Sequence, residues 1–224
     1  MERDIKACIF DLDGVIVDTA KYHYLSWKNL FQPLDYDFHE HDNEPLKGAS
    51  RMHSLEMILD MAGMDKTQAE KEELCRVKND IYLASIEAMT GTEILPGVAK
   101  LIQTMKQNGI SISLGSASRN ARHILDILDI TEQFDAVVDG NDVQHGKPNP
   151  EVFLLAAAKL KVSPHTCLVI EDAAKGITAA KKAGMLAIGI GDATFLGAAD
   201  LVLPNLEGMT WDLLHERLNA RAVS

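Results

Sequence analysis

The chain has 224 residues, 46% of them hydrophobic and 25% charged, and 33 acidic against 22 basic side chains give a formal net charge of −11. That length holds one large α/β domain, or a core with a small second domain. The acidic balance argues against a nucleic-acid or anionic-membrane surface, although clustered Lys and Arg can still reverse the sign inside a cleft, and no apolar run is long enough to span a bilayer.

The N-terminus, Met1-Glu2-Arg3-Asp4, is charged and leads straight into a strand, so no signal peptide is expected. Ile5 to Phe10 reads as a short buried strand, followed by Asp11-Leu12-Asp13-Gly14. Two carboxylates so close repel, so they must share a metal, share a proton or divide the labour. Ala20 to Phe31 turns helical, with Thr19 as its N-cap. Residues 32–45 are polar and irregular, with Pro33 and Pro45 as breakers, and 54–61 and 67–89 read as helices. Gly91 to Pro96 breaks the pattern. Helix and strand then alternate: helix 97–108, strand 110–115, helix 119–129, strand 135–139, helix 150–161, strand 166–171, helix 174–183, strand 186–190, strand 200–203 and helix 210–220. Such alternation predicts an α/β fold, a Rossmann-like, mainly parallel sheet with helices on both faces. The strandless run 18–90 interrupts it after the first strand. We expect a helical cap domain at 18–90, inserted into a core formed by 1–17 plus 91–224.

Cys8, Cys75 and Cys167 show neither zinc spacing nor a paired framework. They are expected as reduced core thiols of a cytoplasmic protein. His39-Glu40-His41 reads as a polar loop, and His145 is given no role.

Four segments fall at the ends of predicted strands, where a parallel sheet gathers its chemistry at one edge. They are Asp11-Leu12-Asp13-Gly14, Gly115-Ser116-Ala117-Ser118-Arg119-Asn120, Gly146-Lys147-Pro148-Asn149-Pro150 and Ile170-Glu171-Asp172. Carboxylates, a hydroxyl at a helix start, one lysine and an acidic pair make an inventory for phosphoryl transfer through a metal. Ser118 also fits a purely structural N-cap. Thr19, His23 and Trp27 are four apart and share one helix face. Lys47, Gly48, Ser50 and Arg51 read as a short loop with two positive charges, and Lys78 by pattern alone is a solvated lysine on a helix face.

With all four motifs in order, the chain resembles the haloacid dehalogenase superfamily over its whole length. Through Asp18-Thr19, His23 to Trp27, Leu46 to Arg51 and Arg76 to Asp80 it resembles the β-phosphoglucomutase family within it. The resemblance implies an intramolecular phosphotransferase in which Asp11 is the nucleophile and is itself phosphorylated, and Asp13 the general acid/base. It implies Mg²⁺ held by Asp11, the Asp13 carbonyl and Asp172, with Glu171 close by. Ser116, Ala117 and Ser118 would hold a phosphate, and Lys147 would neutralise the transferring group. Arg119 and Asn120 would reach the distal phosphate; the family often has Lys where Arg119 stands, which keeps the charge but alters the geometry. In the cap, Thr19 and His23 are implicated in the hinge and in positioning the acid, Trp27 lines the sugar pocket, Arg51 clamps the non-reacting phosphate with Ser54 nearby, and Lys78 touches the sugar. The expected substrate is a hexose phosphate, β-D-glucose 1-phosphate exchanging with glucose 6-phosphate, the expected state a monomer with no nucleic-acid or membrane partner. The same core motifs also suit a sugar-phosphate or phosphoglycolate-type phosphatase.

Overall fold

A computed structural model describes residues 4–46 and 49–221. Strands β1 (Ala7–Phe10), β2 (Ser111–Gly115), β3 (Ala136–Val138), β4 (Cys167–Glu171), β5 (Leu186–Ile190) and β6 (Leu201–Leu203) form one sheet in the order β3-β2-β1-β4-β5-β6. Every pairing is parallel. From β1 the chain builds outward through β2 and β3, then crosses back to lay β4, β5 and β6 on the other side. The crevice beyond the C-terminal ends of β1 and β4 is thus the topological switch point, where open α/β sheets bind their ligands.

Side chains alternate across the sheet. Cys8 and Phe10 of β1 enter one apolar cluster with Ile112, Leu114, Leu168 and Ile170. Helices α4 (Val98–Gln107) and α9 (Trp211–Arg221) cover that face, supplying Leu101, Met105, Leu214 and Leu218. Ala7 and Ile9 enter the opposite cluster with Cys167, Val169 and Ala187. There α6 (Glu151–Leu160) and α7 (Ala174–Lys182) supply Phe153, Ala156, Ile177 and Ala180. Cys8 and Cys167 therefore lie on opposite faces of neighbouring strands, and all three cysteines are buried free thiols. Two helices complete the sheet layers, α5 (Ala121–Ile127) and the short α8 (Ala193–Leu196).

Helices α1 (Ala20–Phe31), α2 (Arg51–Ala62) and α3 (Gln68–Ile86) follow β1 as an insertion. They close on an apolar cluster of their own, including Trp27, Phe31, Phe38, Leu55 and Ile58. The stretch read as irregular holds two 3₁₀ helices, Gln32–Leu34 and Glu40–Leu46. α2 starts earlier than expected because Ser50 caps it, accepting from the His53 amide. α3 begins with a reciprocal capping box between Thr67 and Glu70 and ends at Ile86, not 89. The two crossings lie side by side: the Leu95 amide donates to the Ile16 carbonyl (2.8 Å), and Val17 bridges Ile94. No helix among the described residues is long and apolar enough to cross a membrane.

Candidate active site

Asp11 is the first residue past β1, and its amide donates to the Ile170 carbonyl of β4 (2.9 Å). That bond places Asp11 against Glu171, the last residue of β4, and Asp172 beyond it. One carboxylate oxygen from each of the three lies within 4.8 Å of the others. Lys147 reaches in from the loop before α6, its Nζ 2.8 Å from both Asp11 Oδ1 and Glu171 Oε2, with all three side chains buried. Burial opposes the Lys147 charge, but Asp11 and Glu171 outweigh it and hold the ammonium protonated. One cation does not balance three carboxylates. Burial, together with their neighbours' charges, pushes the Glu171 and Asp172 carboxyls well up from the usual range. A surplus of negative charge on an all-oxygen donor set fits a hard divalent cation. Gly14, at φ +74°, sits where any Cβ would collide with the Asp172 carboxylate.

Asp13 lies in the turn after β1, where the Gly14 amide donates to the Val17 carbonyl (2.8 Å). Burial, then the Asp11 charge, push its carboxyl up to about 6. The Thr19 hydroxyl donates to Asp13 Oδ1. This corrects the expectation for Thr19: it stands at the N-cap position of α1, but its side chain makes no capping bond. Asp18 serves the helix start instead, accepting from the Ala20 amide (3.0 Å), and the Thr19 hydroxyl is spent on a carboxylate that needs a partner.

The loop after β2 is wound by its own side chains. Buried Ser116 accepts from the Ser118 amide (3.0 Å) and Ser118 from the Asn120 amide (3.3 Å). Asn120, not Ser118, holds the N-cap position, and α5 is shorter than the expected 119–129 because this turn consumes its first residues. A second loop, after β3, supports the first. The Gly140 amide donates to the Ser118 carbonyl (3.1 Å), and the Asn141 side chain to the Arg119 carbonyl (2.9 Å). A Cβ on Gly140 would strike the Ala117 carbonyl. Strand-end reasoning applied to β3 points to Gly140 and Asn141 too, yet neither stands out by residue type.

Across the crevice, Arg51 is the first residue of α2 rather than part of a loop, with Ser54 buried one turn on. Lys47 and Gly48 lie outside the described residues. Lys78 is not solvated: it is buried on α3, its Nζ 2.7 Å from His23 Nδ1 and above the rings of Trp27 (5.0 Å) and Tyr82 (4.5 Å). His23 stacks on Tyr82 at 4.3 Å. Burial, then the Arg51 charge, lower Lys78 to about 7; burial, Lys78 and Arg51 depress His23. Both shifts favour a neutral imidazole, whose Nδ1 accepts from Lys78 Nζ when that amine is protonated. Asn79, which motif reasoning passed over, accepts from Arg51 and from Asn120. Its importance rests on the rotation of α3 and on a partner 41 residues away, and no local signal carries either.

A single cavity of about 440 Å³ is lined by Asp11, Asp13, Lys147 and Asp172, by Ala117 to Asn120, and by His23, Trp27, Ser50, Arg51, Ser54 and Lys78. Among the described residues, Arg51, Lys78 and Arg119 pair with no carboxylate. The cavity thus holds a metal-suited acidic cluster and, apart from it, basic side chains outside any carboxylate ion pair, room for a ligand with two anionic groups.

The model of a family described as haloacid dehalogenase-like hydrolase matches residues 5–184. The chain is 48% identical to the β-phosphoglucomutase of Bacillus subtilis (strain 168), over 95% of each protein. It is 30% identical to the fructose-1-phosphate phosphatase YqaB of Escherichia coli (strain K12), over 81% of this chain and 94% of that one. The crystal structure of β-phosphoglucomutase from Clostridium difficile superimposes with a TM-score of 0.93 at 40% identity, covering 98% of this chain and 100% of the other.

Proposed function

This chain belongs to the haloacid dehalogenase-like hydrolase family, and on that footing we propose that it is a phosphomutase interconverting β-D-glucose 1-phosphate and D-glucose 6-phosphate. The observation that carries the reading is the shared cavity, with a phosphoryl-transfer cluster and, among the described residues, three basic side chains, Arg51, Lys78 and Arg119, that form no ion pair with a carboxylate. A phosphatase needs to hold one phosphate. A mutase must hold two and accept either in each place.

Asp11 enters the cycle already phosphorylated: the free C6 hydroxyl of bound β-glucose 1-phosphate attacks the phosphoaspartate, Asp13 removes the hydroxyl proton, the bond to the Asp11 oxygen breaks, and β-glucose 1,6-bisphosphate results. The bisphosphate turns round, Asp11 attacks the phosphorus at C1, the bond to the sugar oxygen breaks, and that oxygen takes the proton back from Asp13. Glucose 6-phosphate leaves, and Asp11 is again phosphorylated. A carboxyl already raised to about 6 suits both directions. Two unit charges at about 4 Å repel by about 4 kcal/mol at an effective dielectric of 20, so Asp11 cannot approach a phosphate dianion unaided. Asp11, Asp172 and the Asp13 carbonyl, with Glu171 alongside, would hold Mg²⁺, which when bound neutralises charge on the transferring phosphoryl group. Lys147 bears on the same charge, and the Ser116 hydroxyl and the amides after it hold the equatorial oxygens. Arg51, Arg119 and Asn120 take the distal phosphate, with Ser50 and Ser54 beside them; His23, Trp27 and Lys78 face the sugar.

Residues 18–90 act as the cap and 1–17 plus 91–224 as the core. The cap sorts acceptors and excludes water, which would otherwise hydrolyse the phosphoaspartate. The proposed working state is a monomer, and the free thiols suit a reducing cytoplasm. The test is incubation with β-glucose 1-phosphate, Mg²⁺ and a priming bisphosphate. Glucose 6-phosphate is expected from the β but not the α anomer. Rapid release of free phosphate without glucose 6-phosphate would replace the mutase by a sugar-phosphate phosphatase.

A further inference from the structure

Asn79 follows Lys78 on α3 and is half-buried. Its Oδ1 accepts from Arg51 Nη2 at 2.6 Å and from Asn120 Nδ2 at 2.9 Å. One acceptor atom thus joins α3 to the first residue of α2, and joins both to the residue that opens α5 on the sheet. Arg51 carries a long, rotatable side chain, and burial and Arg119 work against its charge. Without a fixed acceptor it has little to hold it where a phosphate would need it. A guanidinium has five N–H donors and a carboxamide two, so both groups keep donors to spare while Asn79 stays in place. An amide oxygen is the acceptor that fits this task. A carboxylate would hold Arg51 too, but would compete with the phosphate for its charge, and a hydrocarbon would hold nothing.

We propose that Asn79 is a positioning residue for the distal phosphate, locking Arg51 of the cap and Asn120 of the core into one preformed donor set. This rests on the assignment of Arg51 and Asn120 to that phosphate. It makes the acceptor, rather than the cations alone, a determinant of hexose-phosphate affinity, because preorganised donors lose less freedom on binding.

The test compares the native chain with Asn79→Ala and Asn79→Asp on β-glucose 1-phosphate, and on acetyl phosphate, which phosphorylates Asp11 but has no second phosphate. Loss of a hydrogen bond to a charged group in Asn79→Ala, and competition of the new carboxylate for the Arg51 charge in Asn79→Asp, predict that KM for the hexose phosphate rises about tenfold or more in both variants. With kcat changed less than about threefold, the effect lies in ground-state binding. Phosphorylation by acetyl phosphate stays within about twofold. In an Asn79→Ala/Asn120→Ala pair, the second substitution adds less than it does alone, because each already disrupts the same lock. An unchanged KM in Asn79→Ala, or an equal loss with acetyl phosphate, would overturn the proposal. Should the native chain release phosphate from hexose phosphates instead of isomerising them, the mutase reading fails, and the same KM comparison on that hydrolysis still decides the role of Asn79.

Discussion

Burying the Lys78 ammonium between Trp27 and Tyr82, with the Arg51 charge nearby, costs free energy that the native state carries at neutral pH. Its pKa falls to about 7 from an ordinary 10.5, so between those values the unfolded chain binds more protons than the folded one. Stability therefore rises with pH through that window, and below about 7 the full cost is present. Lys78→Met should be more stable than the native chain at pH 6 by an amount of order a few kcal/mol, and the gap should narrow steadily up to about pH 10. Urea unfolding at several pH values measures it; a gap that does not change with pH would mean that the cavity stabilises the ammonium as well as water does. Pattern alone read this lysine as solvated. Only the resemblance of Arg76 to Asp80 pointed Lys78 at the cavity, because spacing alone does not reveal that the helix turns this position toward His23. Asp11, Asp13 and Lys147 were legible for the opposite reason: each adjoins a strand end or a Gly-Pro-bounded loop, and strand ends converge wherever the sheet is parallel. Thr19 as the partner of Asp13 was legible only through the family resemblance, since by pattern a threonine before a helix reads as a cap whether or not its hydroxyl turns the other way.

At the scale of elements, α7 shows how the site constrains a helix that contributes no ligand. Replacing a helical glycine by alanine ordinarily stabilises a helix by about 0.5–1 kcal/mol. At Gly176 the added methyl would run into the Glu171 carboxylate, which is fixed by Lys147 and by the Ala173 amide (3.1 Å). The sign should therefore reverse. Gly176→Ala is expected to lower the thermal midpoint and to weaken Mg²⁺ binding, read by titration calorimetry on the intact protein. A raised midpoint with unchanged metal affinity would show that Glu171 moves aside freely. The strands and their covering helices were legible because each apolar run is short, buried and bounded by turn residues. Helix ends shifted by a few residues where a side chain settles the boundary: Ser50 lengthens α2 at its start, and the Ser116–Asn120 turn shortens α5.

At the scale of the whole molecule, the described residues form two apolar interiors on the faces of the sheet and a third within α1, α2 and the first half of α3. The far end of α3 belongs to the sheet, because Tyr82 and Ile86, with Met89 just beyond the helix, enter its cluster. Leu55 lies wholly within the third interior. Leu55→Ala should cost about 2–5 kcal/mol there, and hydrogen exchange should show lost protection in α1, α2 and the start of α3 while the strands and the last turn of α3 keep theirs. Equal loss in the sheet would mean that the three interiors open as one unit. The two crossings between β1 and α4 have a longer-term consequence. Because Ile16 and Val17 are bonded directly to Leu95 and Ile94, the inserted helices start and finish at a single point on the sheet. Over evolutionary time such an insert is a cassette. Recombination can exchange it, or drift can remodel it, and the ends that remain still meet; the phosphorylating apparatus descends unaltered while a lineage explores new acceptors.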